Sequence, residues 1–423
     1  MVTSQKARIL RQYRDHLGAG RASLAQLIGG RIEVRSEGGI VVTDDGSRLL
    51  DCGGYGVFLL GHRHPTVVAA VAEQLGRHPM SSRILIEPTL ATAAADLARV
   101  SPAPLQYVYF VNSGAEATET ALKLARLHGR KTVICAEGGF HGKTLGALSV
   151  TPRAQFQEPF QPLLSGITVV PYGDLEAMAA ALAAAPDSAV VLEPIQGEGG
   201  VNIPPAGYLR AVRQLCDRHG ALLIIDEIQT GLGRTGRWWA HERDGITPDI
   251  MLVGKGLSGG VVPVGAVVAT PAAFAPLGRD PFVHTSTFGG SPLAMAAVSA
   301  TVAVLETEDL IARSAAVGAI IVEQFREIVA RSGGNLISEV RGSGLLIGIE
   351  CRTPHAAVEL FLAMLEQNVL VNHSLNSHTV VRLTPPAILD DAQLDWLSAA
   401  FDKAVQQLCS LEIAGQHLRE GNE

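Results

Sequence analysis

LLIIDEIQTGLGRTG at Leu222 to Gly236 and IMLVGKGLSGG at Ile250 to Gly260 decide how this chain is read. Each opens with an unbroken apolar, β-branched run of the kind needed by a strand buried on both faces of a parallel sheet. Each then turns at glycines beside a charged residue, Asp226 at the end of the first run and Lys255 just after the second. Working outward, similar runs recur at Tyr107 to Val111, Thr132 to Ala136, Ala189 to Glu193 and Val264 to Ala269, with amphipathic helical patterns at Ala115 to His128 and Ala206 to His219. Strands alternating with helices predict an α/β fold whose mostly parallel sheet is covered by helices on both faces. From about Leu310 the pattern changes to a long helix, a strand pair around Gly342 to Gly344, and a helix at Ala356 to Gln367. Short strands at Val369 to Val371 and Thr379 to Leu383 and a last helix from Asp391 come next, which together predict a smaller α+β domain. The expected boundaries are 1–45 for an N-terminal segment packing with the small domain, 46–305 for the large domain and 306–423 for the small one.

Composition narrows the function classes. With 34 Lys plus Arg against 41 Asp plus Glu, the net charge is −7, and no basic tract is present to neutralise a phosphate backbone, so nucleic acid is not expected as a partner. Cys52, Cys135, Cys216, Cys351 and Cys409 are widely spread, with no CxxC and no Cys/His cluster at metal-ligand spacing. They read as reduced thiols, which predicts a cytoplasmic protein without a metal site. Lys6, Arg8, Arg11, Arg14 and Asp15 leave no apolar signal segment near the start. The uncharged stretch after Lys255 is broken by Pro263, Pro271 and Pro276, and the one before Glu306 opens with Gly289, Gly290 and Pro292, so neither reads as a membrane span.

Two stretches imitate nucleotide sites. GGFHGKT at Gly138 to Thr144 ends like a P-loop, but that loop requires four residues between its first glycine and the Gly-Lys pair, and the position needing glycine is Glu137, which repels phosphate. GLGRTG at Gly231 to Gly236 matches the dinucleotide fingerprint literally. The chain continues from it as Arg237, Trp238, Trp239 rather than as an amphipathic helix, and the strand before it ends in Asp226 and Glu227. Asn112, Ser113, Gly114 and Ala115 sit where a strand gives way to a helix. The stretch fits an anion held by N–H groups at the positive end of a helix, and equally an ordinary Ser N-cap. Joined to Lys255 and Asp226, the anion reading supplies what pyridoxal phosphate requires: a phosphate cup, an amine for a Schiff base, and a carboxylate that keeps the pyridine nitrogen protonated.

These residues lie within ordered motifs: NSGAEATE at 112–119, FHGKT at 140–144, EPIQGEGG at 193–200, the two opening stretches, TSTFGGSPLA at 285–294 and VRLTPP at 381–386. In that order they resemble the class III (ornithine and acetylornithine type) aminotransferases of pyridoxal-phosphate fold type I, from about residue 30 to the C-terminus. The resemblance implies that Lys255 carries the cofactor and moves the proton, that Asp226 pairs with the ring nitrogen, and that Gln229 reaches the ring 3′-oxygen. It further implies that Phe140 stacks on the ring with His141 beside it, against a simpler role for Phe140 in core packing. Ser113, Gly114 and Ala115 would hold the phosphate, and Thr287 would complete that cup from the neighbouring subunit of a homodimer. Ser286 and Ser291 stand where Thr and Asn are commoner.

Arg382 would bind the carboxylate of a keto acid, with Glu193 swinging in to pair with it when the donor end has none. Within the family, DCGGYGVFLLGHRHP at 51–65, FHGKTLGALSVT at 140–151, PFQPLLSG at 159–166 and LNSHTVVRLTPP at 375–386 resemble the putrescine aminotransferases. By family position Gly53, Gly54, Tyr55, Gly56 and Phe58 line the donor side, an uncharged wall suited to an aliphatic amine. Lys143 stands where acetylornithine enzymes commonly have Arg. An ornithine-type amino-acid transaminase, and a decarboxylase or aminomutase of the same fold, are the alternatives.

Overall fold

Burial sorts the apolar runs into one seven-stranded sheet. In the computed structural model, which describes residues 2–333 and 335–420, the strands are β1 (Tyr107–Val111), β2 (Val133–Ala136), β3 (Ile167–Val170), β4 (Ala189–Leu192), β5 (Leu222–Asp226), β6 (Ile250–Val253) and β7 (Gly265–Ala269), in the order β1-β7-β6-β5-β4-β2-β3. Every residue of β2, β4 and β6 is buried. Successive side chains go to opposite faces. Cys135, Val191 and Ile224 pack under helix α1 (Gly114–Leu127), whereas Ile134, Val190 and Leu223 pack under α2 (Leu175–Ala184) and α3 (Tyr208–His219). Each such side chain contributes about 1.5–3 kcal/mol on burial, and with both faces covered the register of the sheet is closely specified.

The sheet is parallel except at β7, which runs antiparallel to β1 and β6. The link from β6 to β7 contains only the short helical turn Lys255–Ser258, less than the dozen or more residues of a parallel crossover. The other six strands therefore end at one edge, where ligands bind in open α/β sheets. The sequence reading passed over β3, an edge strand with a single neighbour that leaves Val169 exposed.

The C-terminal pattern builds a smaller antiparallel sheet. Ile337–Ser343 and Leu346–Cys351 form a hairpin that continues through Val380–Leu383 to Asn372–His373. The long helices Leu310–Ile328 and Asp391–Glu420 meet beside it through the stacked rings of Phe325 and Phe401, 3.9 Å apart. The strand expected at 369–371 is instead two: Val369–Leu370 pairs in parallel with Arg48–Asp51, and the chain then crosses to the other sheet at Val371. Arg48–Asp51 carries the antiparallel strands Ile40–Thr43 and Glu33–Glu37, so residues 33–51 are hydrogen-bonded to the C-terminal part of the chain.

The glycines that imitate a dinucleotide fingerprint serve packing. A Cβ on Gly231 would lie 2.8 Å from the ring of Trp239, and one on Gly236 would lie 2.7 Å from the Cβ of Ala315. A 3-10 turn at Ala240–Asp244, not a long helix, comes after them. The same loop receives the hairpin turn at Gly344, whose φ of +52° lies in the left-handed region. Gly318, within helix Leu310–Ile328, faces that turn so closely that a Cβ would collide with the Gly344 carbonyl oxygen. Among the described residues no helix is long and apolar enough to cross a membrane, and no group of three or more His, Cys, Asp or Glu is placed to hold a metal ion. Gly318→Ala is expected to cost about 1–3 kcal/mol by overpacking a backbone-to-backbone contact. Urea denaturation checks this, with Gly76→Ala, where a Cβ meets nothing within 4 Å, as the control that leaves the midpoint unchanged or raised.

Candidate active site

The strand ends bring Lys255, Asp226, Glu193 and Ser113 to one edge. Lys255 follows β6 in a left-handed conformation, φ +44°, a strained backbone for a long side chain. Its Nζ donates to Gln229 Oε1 at 2.6 Å. Burial lowers the Lys255 pKa to about 8; Glu198 pulls it back up, while the charge of Arg382 adds to the lowering. An amine with that value is available in neutral form near physiological pH.

Asp226 is buried at the end of β5. Its Oδ1 accepts from the Ile228 N–H at 3.0 Å, and its Oδ2 lies 2.7 Å from His141 Nδ1. The imidazole is fixed from both sides of its backbone, since His141 N–H donates to Thr151 Oγ1 at 2.9 Å and Thr118 Oγ1 donates to His141 O at 2.8 Å. Burial alone would lower the His141 pKa, but the hydrogen bond and charge of Asp226, with Glu193 behind them, raise it. Sequence reasoning placed His141 beside the cofactor ring without a partner; the structure makes it the partner of Asp226.

Ser113 is the N-cap of α1, its Oγ accepting from Glu116 N–H at 3.2 Å. The same helix end opens on a cavity of about 340 Å³ lined by Asn112, Ser113, Gly114 and Lys255. Gly114 is pressed on Ile228, where a Cβ would come within 2.8 Å. Gln229 Nε2 is buried without a hydrogen-bond partner. An enclosed donor of this kind needs an acceptor, and the 3′-oxygen of pyridoxal phosphate is one. Together with the amine, the carboxylate and the helix N-terminus, this orphaned donor makes the residues present fit that cofactor.

Glu193 and Arg382 are both at the site, but they do not pair. Glu193 uses Oε1 to accept from Phe140 N–H at 2.9 Å and Oε2 to accept from Gly197 N–H at 3.0 Å, holding the Phe140 loop to the turn after β4. Burial raises its pKa to about 7; His141 opposes the rise and Asp226 adds to it. Arg382, fully buried on Val380–Leu383, has Nη2 2.7 Å from Glu198 Oε1. The expected Glu193–Arg382 pairing is thus corrected to Glu198–Arg382. The physical reason is saturation: both Glu193 oxygens already accept backbone N–H groups, one from Phe140 and one from Gly197, whereas Glu198 lies one turn further on, against Leu375 N–H and the arginine. EPIQGEGG holds both acids, and its spacing carried no information about which one faces a strand nearly 190 positions away. Beyond this ion pair, the three guanidinium nitrogens of Arg382 have no hydrogen-bond partner among the described residues.

Two expected site residues stand apart. Thr287 is exposed and does not line the cavity of Lys255; its carbonyl oxygen accepts from Arg83 Nη1 at 2.9 Å. Tyr55 is 60% exposed, with φ +51°, and borders a second and larger cavity.

Comparison with known proteins identifies the family and the fold. The model of the family "Aminotransferase class-III" matches residues 28–405. The ornithine aminotransferase of Toxoplasma gondii ME49 superposes with a TM-score of 0.86 at 31% identity, covering 94% of this chain and 97% of that one. A thermostable (S)-enantioselective omega-transaminase from Thermomicrobium roseum gives 0.86 at 28% identity, covering 95% and 98%. An amine transaminase from an uncultivated Pseudomonas species, solved in its PLP-bound form, gives 0.81 at 29% identity, covering 90% and 95%.

The Lys255 amine sets a pH dependence. Its pKa is depressed from 10.5 to about 8, so the folded chain binds fewer protons than the unfolded one between those values, and this group's contribution to stability rises with pH across that window. Cofactor attachment needs the neutral amine. The rate at which apoprotein gains the protein-bound absorbance of pyridoxal phosphate should climb about tenfold per pH unit below about 8 and then level. A rate still climbing at the same slope toward pH 10 would contradict a depressed Lys255.

Proposed function

This chain belongs to the class III aminotransferases, pyridoxal-phosphate transaminases of fold type I, and from that premise we propose that it moves an amino group from an aliphatic amine, diamine or ω-amino donor of the putrescine type to a keto acid such as pyruvate or 2-oxoglutarate, or aminates an aldehyde by the same exchange. The observation that carries this reading is the buried Arg382 opposite Glu198. A transaminase must receive, in one place, a keto acid with a carboxylate and a donor end without one. A bare guanidinium is costly out of water. Glu198 neutralises Arg382 while the amine is bound; a keto-acid carboxylate displaces it and takes up the guanidinium nitrogens in two-pronged fashion.

When bound, the cofactor supplies the carbonyl for the amine and an electron-withdrawing ring that accepts the charge left at the donor carbon. The roles proposed for the chain's own residues derive from their positions. Lys255 takes and returns the proton of the donor carbon, a task suited to an amine whose pKa lies near 8. Asp226, aligned by His141 and Ile228 N–H, presents a carboxylate to the ring nitrogen. Ser113, Gly114 and Ala115 hold the phosphate at the start of α1, Gln229 turns its free Nε2 to the ring oxygen, and Phe140, braced by Glu193, covers a ring face.

A homodimer is part of the reading. Ile84, Leu85, Ile86, Phe282 and Phe288 leave a large apolar patch open, with Ile86 96% exposed, and such patches mark contact surfaces. Arg83 ties its two segments together by donating to the carbonyls of Thr287 and Gly289. A second copy on this patch would carry Thr287 to the neighbouring phosphate cup. Cys52, Cys135, Cys216 and Cys351, four buried thiols outside any disulfide, favour the reducing cytoplasm. The likeness to an ornithine aminotransferase favours the competing reading, in which the donor is an amino acid.

Adding donors singly to the yellow holoenzyme without keto acid separates these readings: a true donor removes the yellow absorbance in a single turnover. Primary aliphatic amines are expected to do so with wild type and not with Lys255→Ala, and a chain inert to every amine and amino acid would end the transaminase reading. Arg382→Ala should slow the keto-acid half-reaction at least a hundredfold while slowing the amine half-reaction far less; equal losses would count against the carboxylate role. Ile86→Asp should shift the protein toward monomer in light scattering and weaken cofactor retention, and an unchanged mass would argue for another use of the patch.

A further inference from the structure

A second cavity lies beside the one that holds Lys255, and its chemistry speaks to the tail of the substrate. It encloses about 710 Å³ and is walled by Leu24 of helix Ala19–Leu27 and Ile28 just after it, Tyr55, and Phe361, Leu365 and Leu370 from the C-terminal part. Gly260 and Val261 border both cavities. The stretch Gly53 to Gly56 joins them as well: Gly53, Gly54 and Tyr55 line the larger one, and a Cβ on Gly56 would lie 3.5 Å from Gln229 Nε2, the group next to Lys255. The missing side chains are enforced at Gly54, where a Cβ would come within 2.5 Å of Phe58.

Size and polarity decide between tails. At roughly 30 Å³ per small group, a four-carbon diamine fills about a quarter of 710 Å³. A distal ammonium would also need a free carboxylate. Asp51, in the wall, has Oδ1 on Gly53 N–H at 2.9 Å and Oδ2 on His62 Nε2 at 2.8 Å, and Glu33 is exposed at the rim. By contrast, apolar surface is left uncovered at the opening, with Leu24 58% and Tyr55 60% exposed. Covering such surface is what stabilises a bound alkyl chain.

We propose that the amine this enzyme consumes, or forms from the matching aldehyde, carries an unbranched apolar tail of about eight carbons or more, seated between the N-terminal helix Ala19–Leu27 and the helix Pro354–Glu366. This rests on the transaminase reading and narrows its putrescine-type donor to monoamines.

The test uses wild-type holoenzyme and two probe series. Unreactive n-alkanols from butanol to decanol, titrated by calorimetry, should bind up to about fourfold more tightly per added methylene. The matching n-alkylamines should remove the yellow absorbance at half-saturating concentrations that fall in the same way, and octylamine should saturate below putrescine. Leu365→Trp, or Ile28→Trp if that variant does not fold, should cut the decyl-to-butyl affinity ratio at least tenfold. Alkanols that bind with no length dependence, or putrescine saturating below octylamine, would overturn the tail site, as would a length series that neither tryptophan changes. Amines of every length reacting alike would overturn the tail site and leave the transaminase reading intact. Length-dependent alkanol binding in a protein that neither an amine nor an amino acid bleaches would do the reverse.

Discussion

A partly buried lysine amine among enclosed charges is the constraint around which this site is arranged. Lys255 lies at the end of a fully buried strand with one hydrogen-bond partner, Gln229. Its lowered pKa reflects the cost of charging it there. Around it are gathered Arg382, Glu198, Glu193 and Asp226, all nearly inaccessible. Clusters of this kind do not stabilise a fold, because desolvation offsets or exceeds the attraction between partners. The stability has to come from elsewhere, and the two-sided sheet with its continuous Val, Ile and Leu strands supplies it. Charges are thereby held at the strand ends in positions they would not choose in water. That is the condition under which a carboxylate can keep a ring nitrogen protonated and an amine can stay neutral near pH 8.

Backbone donors set most of the detailed geometry. Glu193 is bound by two N–H groups and so holds the Phe140 loop rather than the arginine. His141 is anchored through its own N–H and C=O, leaving its ring free to orient Asp226. Gln229 is half used, its Oε1 on Lys255 and its Nε2 unsatisfied. A buried amide donor left open beside Lys255 is the feature that fits an acceptor-bearing ring most directly. The hydrophobic second cavity is of a different character, walled by chain segments more than 300 positions apart in sequence.

Legibility in the sequence tracked the range of the interactions involved. Six of the seven large-sheet strands were legible because two-sided burial writes an unbroken apolar run, and β3 was not, because an edge strand does not need one. Lys255, Asp226 and Ser113 were legible as charged or capping residues at strand ends. The partner of Arg382 was not: Glu193 and Glu198 are five positions apart in one motif, and only the fold decides which carboxylate is spent on its own loop. The split of 369–371 between two sheets is likewise a long-range matter, since Leu50 N–H and Cys52 N–H reach the carbonyls of Asn368 and Leu370. Glycine misled in the other direction. GLGRTG reads as a phosphate turn, yet its glycines are required by a tryptophan ring and by helix Leu310–Ile328.

Lys255, and no other lysine, is the residue proposed to carry the cofactor. Borohydride reduction of the holoenzyme followed by peptide mass spectrometry tests it most directly. One added pyridoxyl group per chain is expected, on the peptide containing Lys255. A pyridoxyl group on Lys143, the lysine of the FHGKT loop, or an unmodified Lys255 peptide from fully loaded enzyme, would contradict it.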